Sequence, residues 1–255
     1  MNIDLICLDR VRHIIKRNVE KGLLTNYDRG LINMDSQYNT VGIIGIYEVL
    51  EKFNLVREDE FGYHYYTDEG LKFAQTILSI IQDQIKVWKK ENNISYNINI
   101  EQIPAERAAS VLQQKDKHFF PEEKYTLPLY GNQWIPLGIK CTLQEKIRVT
   151  AILDKACSGG AIAHVNLESP FKTFEEAWKM LNYIASQGCC YFAFNYKISV
   201  CEHNHSFFGE TCPICGEPKH TVVERIVGFL TPHESWSKER KAEGELRTYF
   251  GPILN

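Results

Sequence analysis

The segment from Cys201 to Phe229 carries residues that could bind a metal ion. It contains Cys212-Pro213-Ile214-Cys215, preceded by Cys201 and by two histidines, His203 and His205. A tetrahedral zinc ion takes four thiolate or imidazole ligands, and two short turns that bring two ligands each supply such a set. Four candidate ligands within fifteen residues therefore predict a metal site, with either histidine as the fourth ligand.

Two other uses of these cysteines compete with a zinc site. Buried free thiols would need no particular spacing, and a redox Cys-x-x-Cys pair would need neither Cys201 nor a histidine. Gly209 and Gly216 also suit a zinc knuckle, because its tight turns need positive φ angles that glycine adopts readily. Zinc accounts for the whole pattern and is the interpretation that we favour.

A second pattern, Arg225-Ile226-Val227-Gly228-Phe229, follows the first directly. From the residues alone it is an apolar β-type segment interrupted by one glycine, and a glycine bulge or bend would explain it. Taken with the metal motif, however, it resembles the C-terminal end of the anaerobic (class III) ribonucleotide reductases, which are glycyl radical enzymes. In that family a four-ligand zinc knuckle is followed closely by Arg-hydrophobic-x-Gly-Tyr/Phe, and the glycine stores the radical.

The resemblance implies that Gly228 is the radical position and a catalytic residue. A radical on Cα is stabilised when it delocalises over both flanking peptide groups, which requires a flat backbone, and glycine alone has no Cβ to crowd that arrangement. We expect the apolar neighbours Val227, Phe229 and Leu230 to keep water and oxygen away from it. The radical itself would be generated by a radical S-adenosylmethionine activase that carries an iron–sulfur cluster.

The resemblance also implies a structural zinc ion, with the ligands Cys201, His205, Cys212 and Cys215. Many family members use four cysteines, so this chain differs by one histidine. His205 is preferred to His203 because the three-residue gap after Cys201 matches the family's Cys/His variants. The knuckle would hold the base of the loop that carries the radical.

Another stretch that resembles the family runs from Asn97 to Lys117. Residues 94–101 alternate apolar and polar and predict a strand, and Pro104 suits the first turn of a following helix. In the family such a barrel strand ends in an acidic residue, which makes Glu101 a candidate catalytic residue. For Glu106, complementing the helix dipole is a better explanation than catalysis.

The fold class implied by the resemblance is α/β. The chain would be the C-terminal part of a ten-stranded glycyl radical enzyme barrel, with three segments: a partial catalytic barrel (1–200), a zinc knuckle (201–220), and a radical loop with a C-terminal arm (221–255). A winged-helix module is the structural alternative for residues 40–90, although no basic recognition helix supports it.

Periodicity and capping residues predict the elements in more detail. Amphipathic helices are expected over 1–22 and over 67–90, and another from Phe174 to Gln187 with Thr173 as its cap. Residues 189–200 read as one buried strand that leads into the knuckle. Residues 233–248 read as a charged, solvent-exposed helix or arm.

Composition limits the classes of function. Of the 255 residues, 44% are hydrophobic and 24% charged, which is enough to build a core. The net charge of −3 gives no electrostatic reason to expect direct nucleic-acid or membrane binding. No apolar run is long enough to span a bilayer, and the N-terminus does not read as a signal peptide. Eight cysteines without such a signal predict a reducing, cytoplasmic location.

One part of the family's machinery cannot be assigned to this chain. These enzymes use a thiyl radical cysteine on a finger loop, and none of the remaining cysteines matches it: Cys7, Cys141, Cys157, Cys189 and Cys190. We therefore expect a split or truncated enzyme that needs an N-terminal reductase fragment with that cysteine and takes a ribonucleotide substrate. The alternatives are a zinc-knuckle interaction or regulatory protein, and a spare radical subunit that repairs a damaged reductase.

Overall fold

A computed structural model describes residues 1–226 and 228–251. Val227, which was expected to shield Gly228, lies outside the described residues, as do residues 252–255 and the side chain of Glu106. No helix in the described part of the chain is both long enough and apolar enough to cross a membrane.

The helices and strands alternate along most of the chain. The helices are α1 (Asn2–Glu20), α2 (Thr25–Asp28), α3 (Ile46–Lys52), α4 (Asp68–Glu91), α5 (Glu106–Phe119), α6 (Leu143–Leu153), α7 (Phe174–Ser186) and α8 (Lys238–Glu245). The strands are β1 (Asn39–Ile43), β2 (Val56–Glu58), β3 (His64–Tyr66), β4 (Ile98–Gln102), β5 (Ala163–Asn166), β6 (Phe192–Asn195), β7 (Ile198–Val200), β8 (Ser206–Phe207), β9 (Thr221–Arg225) and β10 (Leu230–Pro232). Short 3-10 helices cover Asp154–Ala156 and His233–Ser235.

The parallel strands form the α/β part of the molecule. β1 pairs with β4, with Val41 opposite Ile100, and β5 pairs with β6 in the same parallel sense. A single bridge between Glu101 and Gly160 connects the first pair to the segment that leads into β5. Parallel pairing of β1 with β4 is an α/β crossover and not a winged helix. Within residues 1–226 and 228–251 these strands do not close into a barrel.

Two hydrophobic clusters hold this layer together. The larger one joins α1, α3 and α4 to β4 through fully buried side chains such as Leu5, Leu50 and Leu78. The second packs α6 and α7 onto one face of β5, where Val165 and Met180 are completely buried. The helix caps follow the sequence prediction, because the Thr67 and Thr173 hydroxyls accept hydrogen bonds from the first turns of α4 and α7.

The predicted strand over 189–200 is instead two strands with different partners. β6 completes the parallel pair with β5, whereas β7 joins a four-stranded antiparallel sheet of order β10-β9-β7-β8. The chain passes from one sheet to the other between Asn195, the last residue of β6, and Ile198, the first residue of β7. The antiparallel sheet is the element that positions the candidate site.

Candidate metal centre and glycine loop

Two tight turns next to the antiparallel sheet carry the four predicted metal ligands. The first joins β7 to β8, and there the backbone N–H of Cys201 donates to the carbonyl of His205. The second turn is closed by the N–H of Gly216, which donates to the carbonyl of Cys212 at 2.9 Å. Gly209 and Gly216 have φ angles of 108° and 77°, as predicted for such turns.

The turns bring one ligand atom from each of Cys201, His205, Cys212 and Cys215 within 4.8 Å of one another. Cys201 Sγ lies 3.7 Å from Cys215 Sγ, and Cys212 Sγ lies 3.6 Å from His205 Nδ1. Two thiolates on a tetrahedral zinc ion, each about 2.3 Å from the metal, would be about 3.8 Å apart. The spacing therefore fits zinc, and the group includes His205 and not His203.

The environment of Cys212 favours the thiolate, which is the form that binds a metal. Desolvation opposes ionisation, but hydrogen bonds from the backbone N–H groups of Cys215 and Ile214 outweigh it and lower the pKa of the Cys212 thiol to about 6. The knuckle has little apolar packing of its own, because its hydrophobic cluster consists of Cys201, Phe207 and Cys212. A metal ion that joins the two turns would add to the backbone hydrogen bonds that close them.

Gly228 lies in the loop 226–229 that joins β9 to β10, in a hairpin that pairs Arg225 with Leu230. The residue is exposed. Phe229 is 78% exposed and Leu230 is 49% exposed. The expected shielding by these two residues is therefore wrong within the described part of this chain, because Gly228 and both side chains are exposed.

Close packing does not explain the glycine at position 228. A Cβ added there would have no heavy atom within 4 Å, apart from its chain neighbours. By contrast, a Cβ on Gly42 would lie 2.4 Å from Ile103 Cδ1, and one on Gly159 would lie 2.3 Å from Glu101 Cγ. Those two glycines are closely packed against neighbouring side chains, and Gly228 is not.

A buried ion network fixes the strand that leads into this loop. The Glu224 side chain is completely buried, and its Oε1 accepts hydrogen bonds from Tyr249 at 2.8 Å and from Asn195 at 3.3 Å. Arg247, whose side chain is also buried, lies 3.1 Å from the same oxygen and donates to Glu243 as well. Each charge in the network thus has an opposite partner, which is the condition for burying it.

This network corrects the prediction of a charged, exposed arm over residues 233–248. Arg240, Glu243 and Arg247 are buried, and the guanidinium of Arg247 lies 4.9 Å from the centre of the Trp236 ring. The physical reason is that these charges pair with one another and with Glu224, so that they need no water. Sequence reasoning missed these residues, although Arg240 and Glu243 are three apart and so fall on one face of the predicted helix; Arg247 lies beyond the end of α8.

Glu101, the other candidate catalytic residue, lies in β4 of the parallel layer. Its Oε1 accepts a hydrogen bond from Asn99 Nδ2 at 2.9 Å, and its side chain packs on Gly159. Gly228 and the four ligands instead belong to the antiparallel sheet and its turns. The structure thus brings the four predicted metal ligands together and leaves Glu101 in a separate layer.

Comparison with known proteins identifies the family. The family model of the anaerobic ribonucleoside-triphosphate reductases matches residues 3–250. The chain belongs to this family. No curated protein sequence matches it.

Solved structures of anaerobic ribonucleotide reductases share its fold. One superposes with a TM-score of 0.88 at 42% sequence identity, over 96% of this chain and 39% of that chain. Two structures of the Thermotoga maritima enzyme, one with glycerol in the active site and one in complex with dATP and CTP, give TM-scores of 0.84 and 0.83 at 43% identity. Each of these two matches covers 92% of this chain and 38% of the Thermotoga maritima chain. The chain therefore spans about two fifths of the length of the reductases it matches.

Proposed function

We propose that this chain is the radical-bearing C-terminal portion of an anaerobic ribonucleotide reductase and stores its radical on Gly228. The observation that carries the proposal is a glycine that no neighbouring atom requires, at the tip of a hairpin whose base is held by buried ion pairs. A structural explanation of this glycine by close packing fails, whereas a Cα radical needs a residue without a Cβ.

Activation would take one hydrogen atom from the Cα of Gly228. The acceptor is a carbon radical that an activase derives from S-adenosylmethionine, and the odd electron stays on Gly228, spread over its two peptide groups. In turnover, a cysteine thiol on the reductase partner returns a hydrogen atom to Gly228 and becomes a thiyl radical. That radical takes the ribose 3′ hydrogen, the 2′ hydroxyl leaves as water, and formate or a thiol reductant supplies the electrons.

The thiyl cysteine would come from an N-terminal reductase fragment, so that the enzyme is split or truncated. Supporting this, the pairs β1–β4 and β5–β6 are two-stranded and leave strand edges to which further strands can add. In this arrangement residues 1–200 supply part of the ten-stranded barrel, 201–220 the zinc knuckle, and 221–255 the radical loop and arm.

Glu101 is proposed as a catalytic residue of the same reaction. It stands near the C-terminal end of β4, which is the end at which α/β barrels place their reacting groups. Glu101→Gln should lower turnover by the assembled enzyme and leave the radical on Gly228 intact, as read by electron paramagnetic resonance. Unchanged turnover would remove Glu101 from the mechanism.

One structural zinc ion would tie the two turns together, held by Cys201, His205, Cys212 and Cys215. Metal analysis should find one zinc per chain in the wild type and in Cys190→Ser, whose cysteine is exposed and outside the cluster. Cys212→Ser should lose the metal, and its knuckle should become sensitive to protease, because zinc supplies on the order of 10 kcal/mol to such folds. Unchanged zinc content in Cys212→Ser would refute the site.

The radical assignment is tested by anaerobic activation with a matched activase and N-terminal fragment. The wild type should give a carbon-centred doublet, split by the one remaining α-hydrogen, and air should then cut the backbone at Gly228. Gly228→Ala should lose both the doublet and the cut, whereas Gly251→Ala, which changes a later glycine that also has aromatic neighbours in the sequence, should keep them. A doublet in Gly228→Ala, or a cut at Gly251, would show the assignment to be wrong. If no radical forms in the wild type, a zinc-knuckle interaction protein becomes the better explanation.

A further inference from the structure

The loop carries a second feature that the proposed function does not use. Arg225, the last residue of β9, turns its side chain back over the loop, and its Nη1 donates to the carbonyl oxygen of Gly228 at 2.7 Å. This is a short contact for an N–H donor, as is typical when the donor is permanently charged. The cation of Arg225 thus bonds directly to one of the two peptide groups that flank the Gly228 Cα.

The backbone of Arg225 is itself held on both sides by buried groups. Its N–H donates to Asn195 Oδ1 at 3.3 Å, and its carbonyl accepts from Arg247 Nη1 at 2.8 Å. Asn195 is 1% exposed, and the Arg247 side chain is completely buried. The side chain of Arg225 therefore starts from a point fixed by the core, although the loop that it contacts is exposed.

A Cα radical makes particular demands on the carbonyl that Arg225 contacts. The odd electron is shared between a donating amide nitrogen on one side and an accepting carbonyl on the other, and sharing is greatest when both lie in one plane with Cα. A hydrogen bond from a cation makes the carbonyl a stronger acceptor. The same bond resists rotation of that peptide out of the plane.

We propose that Arg225 is a positioning residue for the radical, which acts through the Gly228 carbonyl by holding its peptide in plane and drawing electron density toward its oxygen. The proposal rests on the proposed function of Gly228. It adds a role for the arginine: the residue sets how stable the radical is and not only where the loop lies.

The first test needs no radical. In protein labelled with ¹³C at the glycine carbonyls, the Gly228 signal, assigned by its absence in Gly228→Ala, should move upfield in Arg225→Gln because its carbonyl loses a charged donor. Arg29→Gln, which changes an exposed arginine, should leave it in place. Arg225→Lys should lie between, since it keeps the charge without the planar fork. An unchanged Gly228 signal in both Arg225 variants would overturn the proposal.

The second test uses the activated protein with its reductase fragment. In Arg225→Gln the doublet should show larger g anisotropy, because an oxygen lone pair that has lost its charged donor lies closer in energy to the odd electron and mixes with it more strongly. Dithiothreitol under argon should quench the doublet about tenfold faster, the factor that corresponds to the lower end of the range for one charged hydrogen bond. Arg225→Lys should be intermediate, and it replaces Arg225→Gln if that variant does not fold.

The outcomes separate the two proposals. If the wild type gives no doublet, the proposed function of Gly228 fails and the role of Arg225 falls with it. If the wild type gives the doublet and both Arg225 variants have the same g anisotropy and quenching rate, the radical assignment stands and the role of Arg225 is refuted. A purely structural role would change the yield of radical and leave its g values unchanged.

Discussion

Replacing Arg247 by methionine should destabilise the fold by about 3 kcal/mol. Breaking a buried ion pair by removing one partner costs about 3–5 kcal/mol, because it leaves the other charge buried and uncompensated. Here the Arg247 and Glu224 side chains are completely buried and that of Glu243 is 5% exposed. The lower end of the range applies because both carboxylates keep other donors, Glu224 from Tyr249 and Glu243 from Arg240.

Urea unfolding followed by circular dichroism measures this loss. Arg29→Met is the matched control, since it removes an exposed arginine and should change stability by no more than about 0.5 kcal/mol. Arg247→Met combined with Glu224→Leu should recover part of the loss, because both partners of that pair are then apolar. A loss below about 1 kcal/mol in Arg247→Met would refute the network as the anchor of β9.

Two further predictions concern stability. Gly159→Ala should lower the free energy of unfolding by about 1–3 kcal/mol, because the added methyl group overpacks against Glu101. Gly228→Ala should unfold like the wild type, and urea titration of both variants measures the difference. Glu48 gives a pH dependence: burial raises its pKa from 4.5 to about 7, against an opposing hydrogen bond from the Gly131 N–H. Between pH 4.5 and about 7 the Glu48 carboxyl is therefore protonated in the folded state and ionised in the unfolded state. The free energy of unfolding should fall as the pH rises through this range. Glu48→Gln should flatten that slope, and an unaltered slope would contradict the assignment.

The parts of the site that depend on short-range spacing could be predicted from the sequence. The Cys-x-x-Cys turn places two predicted ligands within four residues, and both Gly209 and Gly216 have positive φ as expected, with Gly216 closing the second turn. Helix caps such as Thr67 are also local features, because a hydroxyl binds an N–H three residues along. These predictions needed no knowledge of distant contacts.

The incorrect predictions all depended on contacts between distant elements. Arg247 looks like a solvated residue in the sequence, because its partner Glu224 lies in another element, more than twenty residues earlier. The break between β6 and β7 is equally hidden, since aromatic residues continue through it and only the pairing partners change. Apolar residues at Phe229 and Leu230 suggested a shield, but this chain buries neither.

The anchoring of the C-terminal segment has a consequence for a chain that oxygen has cut at Gly228. The released piece would still pair through β10 with β9, insert Arg247 beside Glu224, and bridge Phe250 to Leu167. Such a nicked chain would remain a single particle until a denaturant separates its two pieces. If Gly228 stores the radical and a reductase fragment supplies the thiyl cysteine, as proposed above, the nicked chain would keep its surfaces for that partner but would lack the radical position. Damaged copies would then compete with intact ones for that partner, so that even a modest fraction of them lowers the activity of the whole population.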